Sequence, residues 1–515
     1  MPEPDVPSGT DRRAPRPPTL IDALIPVVAL VVLIFLTVAL FGTDATGGPL
    51  QVALFTSAVV AGLVAAKNGH PVARIRDAAI GGISSALGAV FILLAVGALI
   101  GTWNLAGTIP TIVYYGVGLL REQWFYPATV IVCGLTGLAI GSSWTTAATL
   151  GVAFVALAPL VGASPVITAG AVISGAYFGD KMSPVSETTV LTPSMVGGVT
   201  TNEHIAAMVW TSGPAILIAL VGFTIIGLTS ATSGTAFDPA VAQAALGQAF
   251  WISPLNLLPL VLLLVLSIRR APPFLSIFLC AIFAGILACF TQPAVVTAFV
   301  DRPDAGPLET AIVGVYSALA NGYVSTTGNA TIDALFSRGG MDSMLYTIWL
   351  VLGALSFAAI MEDAGFLERL IRPILARATS TGRLIAAVIG TAIGLNILAG
   401  DQYVAIVMPS RIYRLEFQRR GIAPRMLSRA VEDSGTVTSP LVPWNSCGAY
   451  MAGVLGVATT AYLPYCFFNL LSPLISLLYG ITGLRIEHVA PTAGTPGSPS
   501  DAIPSGVAST QGGTA

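Results

Sequence analysis

Charge is the scarcest property of this sequence. Only 9% of its 515 residues are Asp, Glu, Lys or Arg, while 54% are hydrophobic and the mean hydropathy is +0.82. Soluble domains carry about a quarter charged residues, so a soluble globular protein is excluded and a polytopic membrane protein is indicated. Histidine is nearly missing as well. His70, His204 and His488 stand far apart and leave no histidine metal centre. The five cysteines, Cys133, Cys280, Cys289, Cys447 and Cys466, sit singly in apolar segments without ligand spacing. They read as small core residues, which excludes a disulfide framework and a thiolate metal site. No cofactor is expected. The net charge of −2 says nothing about partners; the apolar composition makes the lipid bilayer the expected partner, and no nucleic acid partner is expected. Lysine is rarest of all: of 23 basic residues only Lys67 and Lys181 are lysine. No small-residue cleavage site follows the first apolar run, which is therefore expected to be a retained helix rather than a signal peptide.

What is abundant is apolar run. Segments of membrane-crossing length, about 17–25 residues, occur at Leu20–Phe41, Leu50–Ala66 and Ala78–Gly101. Leu105–Leu120, with Pro110, Tyr114 and Tyr115, is expected to lie partly in the interface. Val130–Val161 is interrupted by the polar knot Gly141-Ser142-Ser143-Trp144-Thr145-Thr146 and suggests a re-entrant hairpin, or one kinked span. Met208–Thr229, Ile252–Ile268, Phe274–Phe290, the weaker Leu308–Ala320 and Met344–Met361 follow. Phe366–Ala378 looks interfacial. Leu384–Ile412 is apolar around a second knot holding Asn396 and Ala399-Gly400-Asp401-Gln402-Tyr403, and Gly448–Val457 and Ala461–Ile481 close the set.

The densest polarity within apolar surroundings is Ile173–Leu191, ISGAYFGDKMSPVSETTVL. It continues an apolar helix and then places Asp180, Lys181, Ser183, Pro184, Ser186, Glu187, Thr188 and Thr189 within ten residues. A charge at the bilayer centre costs about 2.5–3.5 kcal/mol even on lenient scales, so such groups usually face a cavity. Pro184 removes a backbone donor, and a broken helix at membrane depth is tolerated only where protein or water satisfies the freed groups. This stretch reads as an ion site, the alternative being a polar loop between spans.

The two halves repeat. Gly48-Pro49-Leu50 recurs as Gly306-Pro307-Leu308, Asp77-Ala78 as Asp333-Ala334, Gly97-Ala98-Leu99 as Gly353-Ala354-Leu355, Ala106-Gly107 as Ala364-Gly365 and Ser183-Pro184 as Ser439-Pro440, with offsets of 256 or 258. The repeat pairs the knot at Ser143 with that at Asp401, and the central stretch with Glu432–Cys447. Basic residues precede the first span (Arg12, Arg13, Arg16) and follow the second (Lys67, Arg74, Arg76), whereas the equivalent second-half loop, Gly322–Gly340, holds only Arg338. Because basic loops face the cytoplasm, the second copy is expected to be upside down, with both termini cytoplasmic. The fold class expected is all-α and polytopic, with two inverted repeats, broken helices, re-entrant hairpins and roughly 10–12 crossings. The expected division is a disordered tail at 1–19, a first membrane repeat at 20–229, a linker and connecting helix at 230–273, a second repeat at 274–484 and a disordered tail at 485–515.

Nearly all acidic residues fall in expected loops, tails or span ends. The exceptions, Asp180, Glu187, Asp401, Glu432 and Asp433, all belong to the four paired elements. A small hard cation wants carboxylate, hydroxyl and carbonyl oxygens, and half-helix ends add favourable dipoles. A carboxylate in such a place can also hold a proton, so proton and cation can compete for one group. The candidate ion and proton residues are Ser143, Thr145, Asp180, Lys181, Ser183, Ser186, Glu187, Thr188, Asn396, Asp401, Glu432, Asp433, Thr436, Ser439 and Asn445. Asp180, Glu187, Asp401 and Asp433 are the candidate Na+ ligands. Lys181 is expected to be a counter-ion for Asp180 or Glu187 when no cation is bound, the alternative being a lysine that snorkels to the interface.

FGDKMSPVSETT, GSSWTTAAT, LAGDQYVAIVMPSRIYR and the 26-residue EDSGTVTSPLVPWNSCGAYMAGVLGV resemble motifs of the NhaC-type Na+/H+ antiporters, over roughly Asp77 to Leu478. The resemblance implies a secondary transporter of the cytoplasmic membrane that exchanges Na+ for H+ and acts in pH homeostasis, with inverted repeats, paired re-entrant hairpins and often dimeric assembly. It marks Asp180, Ser183, Glu187, Asp401, Asp433 and Asn445 as ion-site residues. The family motif commonly reads SPLSDTT, and Glu187 here is longer by one methylene. Some relatives move small organic acids or amino acids. No arginine lies within the hairpin tips or the central stretch, which favours a bare ion over a carboxylate substrate. An intramembrane aspartyl protease is the enzyme alternative, but its Tyr-Asp, Gly-x-Gly-Asp and Pro-Ala-Leu signatures are absent.

Overall fold

A lipid environment leaves every backbone donor and acceptor to be satisfied within the chain, and the helix does this locally. The computed structural model, which describes residues 15–119, 122–230 and 239–489, is accordingly helical. Among the described residues there is no strand, only the isolated bridges Tyr323–Arg338 and Ile422–His488. Among the described residues nine helices are long and apolar enough to cross a membrane, or up to eleven if two sharply bent pairs each count as one span. The most peripheral, Leu20–Phe41, turns Phe35 and Leu40 outward, as a lipid-facing helix must, and Thr19 with Asp22 closes a capping box at its start.

Two cores form. One gathers Leu87–Leu105, Glu122–Ile140, Pro165–Met182 and Pro273–Thr291, and the other Leu20–Phe41, Pro49–Lys67, Leu345–Asp363, Thr381–Leu398 and Gln402–Arg419. Within the first, Glu122–Ile140 and Pro165–Met182 touch backbone to backbone. A Cβ on Gly179 would lie 2.1 Å from the Gly134 carbonyl oxygen, so only glycine permits this approach. That rigid pair carries the first half of the site.

Four helix breaks are the architecture's main device. Gly141 (φ +73°) and Gly400 (φ +62°) turn the chain in the left-handed region that favours glycine. Each is followed by an N-cap residue, Ser142 before Ser143–Thr146 and Asp401 before Gln402–Arg419. Ser186 and Asn445 hold the same position before Glu187–Val196 and Ser446–Leu455. Gly141 and Gly400, Ser142 and Asp401, and Ser186 and Asn445 are each 259 residues apart. The internal repeat is therefore a repeat of broken helices.

Several expectations are corrected. The first hairpin's arms are longer than Val130–Val161 suggested, because the helix already begins at Glu122. Gln123–Ile140 and Ser143–Val161 each have crossing length. Gly448–Val457 and Ala461–Ile481 are not two straight spans. Ser446–Leu455 and Thr459–Tyr465 meet at 92°, and a separate helix runs Phe467–Thr482. Gly456, left-handed at φ +68°, ends the first piece, and Pro464 lies in the last turn of the second. Thr108–Leu119 packs Ile109, Val113 and Val117 into the first core while Tyr115 stays exposed. Of the expected linker, Pro239–Ala249 is helix and 231–238 lies outside the described residues.

Of the expected tails at 1–19 and 485–515, residues 1–14 and 490–515 lie outside the described residues, and the chain is hydrogen-bonded up to Val489. Ala423 N donates to Glu487 O and Val489 N to Gly421 O, both at 2.9 Å. Arg425 pairs with Glu487, and the Arg485 guanidinium sits 3.6 Å from the Trp210 ring centre.

Candidate functional site

Asp180 occupies the last turn of Pro165–Met182, just before that helix breaks. Its Oδ2 accepts from Ser143 N (2.9 Å) and Ser143 Oγ (2.7 Å), so the first two breaks meet at one carboxylate. From the second half, Asp401 caps Gln402–Arg419, its Oδ1 accepting from Tyr403 N (2.7 Å) and Val404 N (3.2 Å). Tyr403 then reaches back to the first half: its hydroxyl donates to Glu187 Oε2 at 2.6 Å. Ser186 Oγ and Thr188 Oγ1 lie 3.2 Å apart beside them.

All these groups open on one cavity of about 910 Å3 between the two cores. Seven of the expected site residues line it: Ser143, Thr145, Asp180, Ser186, Glu187, Thr188 and Asp401. Hard oxygens and half-helix ends converge there from both halves, which suits a small cation that must be released again. Among the described residues no three His, Cys, Asp or Glu side chains cluster closely enough to hold a metal ion tightly.

The other expected residues lie elsewhere. Lys181, entirely buried, turns away from the cavity and is bonded to Asp433, correcting the expectation of Asp180 or Glu187 as its partner. Consecutive helical residues point about 100° apart, so Asp180 and Lys181 enter different surroundings. The pair is completed by Ser472 Oγ, 3.1 Å from Lys181 Nζ, and Thr211 Oγ1, 2.9 Å from Asp433 Oδ1. Glu432 beside it accepts from Thr192. Glu432 and Asp433 open a π-helical turn, Glu432–Thr436, a form often found at functional positions. Asp433 therefore does not join Asp180, Glu187 and Asp401 around one ion.

Asn396, Asn445 and Ser439 hold the breaks in place. Asn396 Nδ2 donates to Gly435 O (2.6 Å), and Asn445 Nδ2 donates to Asn396 O and Oδ1 (both 3.1 Å). Asn445 Oδ1 caps Cys447 N at 3.0 Å, and Ser439 Oγ donates to Gln402 Oε1 at 3.0 Å. Ser183 and Thr436 are buried, and Thr436 O accepts from Ser439 Oγ at 2.7 Å.

Residues with little signal in the sequence complete the picture. Tyr403 and Gln402 sat in a recognised polar knot but lacked charge to single them out. Trp144 stacks on Tyr450 at 4.0 Å, and Tyr450 donates to Trp144 O, joining the first hairpin to the last broken helix. Glu362 and Arg270 line the cavity from the ends of apolar runs, where charge is common and carries no local signal.

The Na+/H+ antiporter family matches residues 19–198 and 194–484 of this chain. The chain belongs to that family. Among similar proteins are the Na(+)/H(+) antiporter NhaC of Alkalihalophilus pseudofirmus, 35% identical over 80% of this chain and 86% of its own, and the Na(+)/H(+) antiporter NhaC of Bacillus subtilis, 33% identical over 84% and 92%. The Malate-2H(+)/Na(+)-lactate antiporter of Bacillus subtilis is 34% identical over 92% and 97%. This family member is thus a multi-pass membrane transporter and not an enzyme. Members this similar differ in the cargo their names carry, so the family alone does not choose between a bare ion and an organic acid.

Proposed function

We propose that this antiporter exchanges Na+ for H+ across the cytoplasmic membrane by alternating access, with cation and proton competing for carboxylates in the central cavity. One observation carries this reading. Asp180 from the first repeat and Asp401 from the second, each at a helix break, open on a single cavity with hydroxyls beside them. In this reading Asp180 is the exchanging group, Asp401 and Glu187 share the cation, and the repeats are inverted with both termini cytoplasmic. The Lys181–Asp433 pair and Glu432 lie behind the cavity and link the halves. A homodimer fits the family resemblance.

Purified protein in liposomes with an internal pH dye tests the proposal when NaCl, KCl, malate and lactate are supplied in turn. NaCl should move protons without any organic acid, and proton movement only with malate or lactate present would overturn it. That second outcome has its own support. The cavity, at about 910 Å3, is of the size that holds small organic molecules, and Arg270 on its wall is a donor for a carboxylate.

A further inference from the structure

Glu362 sits in the last turn of Leu345–Asp363 and lines the cavity containing Asp180, Glu187 and Asp401. A carboxylate is disfavoured at a helix C-terminus, where the dipole is negative, and no basic residue occupies that turn. Its neighbour Asp363 shows what a structural carboxylate does here, gripping Arg74 through bonds of 2.9, 3.1 and 3.2 Å. The Glu362 carboxylate makes no ion pair or hydrogen bond among the described residues, only its backbone carbonyl accepting from Gly365 N at 2.9 Å. The charges bearing on it are Arg411, Asp401 and Asp363, and the Arg411 guanidinium is turned to Met195 Sδ at 4.0 Å. Arg270, the cavity's own arginine, makes no ion pair among the described residues either. The wall thus carries one free charge of each sign.

We propose that Glu362 is a cation-loading residue that draws the cation into the cavity against the opposing charge of Arg270, without itself exchanging the proton. The proposal rests on the Na+/H+ reading above. A cavity with low-dielectric walls concentrates the ion that its charges attract, so Glu362 acts on loading and not on the translocation step.

The test is Na+-driven proton movement in liposomes by wild type, Glu362→Gln and Glu362→Asp. At low ionic strength Glu362→Gln should raise the KM for Na+ about three- to tenfold, the order expected of one unit charge in a half-wet cavity. The rate at saturating Na+ should stay within about twofold. The KM difference should close when choline chloride is raised to about 0.5 M, because screening shortens the reach of the charge. Glu362→Asp should behave like wild type. A structural role would not respond to salt, so a KM difference that persists at high salt, or a lost rate with KM unchanged, overturns the proposal. Arg270→Gln reads the same field with the opposite sign and covers the case in which Glu362→Gln does not insert. It should lower the KM for Na+ about threefold, and an unchanged KM counts against the proposal. If wild-type protein moves no protons with NaCl, the Na+/H+ reading itself fails and this proposal falls with it.

Discussion

Lys181 turns its back on its neighbour Asp180 and is bonded instead to Asp433, 252 residues away in the other half. Both side chains are entirely buried. Breaking such a pair by removing one partner leaves a charge without compensation, which typically costs about 3–5 kcal/mol. Removing both partners costs far less.

Lys181→Met should therefore lower thermal stability in detergent steeply, and Lys181→Met combined with Asp433→Asn should recover most of the loss. Melting of the two single variants and the double variant gives the coupling directly. Additive effects would show that the pair does not link the halves.

Asp180→Asn keeps the size and one carbonyl acceptor for the Ser143 donors, but it cannot ionise. The variant should insert and purify like wild type while showing no Na+-driven proton movement at any pH. If only the Na+ affinity changed, the exchange would have to pass to Asp401.

Tyr403→Phe deletes the 2.6 Å bond that holds Glu187 across the cavity. A hydrogen bond to a charged group is worth about 1.5–3 kcal/mol when buried, and less in this open cavity. The expected result is a KM for Na+ raised about three- to tenfold with folding intact. An unchanged KM would remove Glu187 from the set of cation ligands.

The proposed inversion of the repeats would put the Lys67–Arg76 loop and a basic patch of Arg411, Arg414, Arg419, Arg420, Arg425 and Arg429 on the same, cytoplasmic side. Val72 and Leu415 are 75% and 62% exposed, so a cysteine at either position is open to reagent. Val72→Cys and Leu415→Cys should resist a membrane-impermeant thiol label added to intact cells and react after permeabilisation. Labelling of one but not the other in intact cells would mean that these loops face opposite sides.

Local chemistry alone determined where this chain breaks. Gly141-Ser142, Ser183-Pro184, Gly400-Asp401 and Asn445 are breaks because glycine tolerates positive φ, proline lacks a donor, and Ser, Asp and Asn cap helices through neighbouring N–H groups. The scarcity of charge likewise made Asp180, Glu187 and Asp401 conspicuous, and all three line the cavity. Tertiary structure alone decided which partner each of them meets. Helical periodicity says which residues of one helix share a face, but not which helix covers that face. The bond from Tyr403 to Glu187, 216 residues apart, has no local signal. Nor does the burial of Lys181 against Asp433, or the placement of Glu362 and Arg270 on one cavity wall. Those relationships exist only because two halves, each locally encoded, pack their breaks against one another.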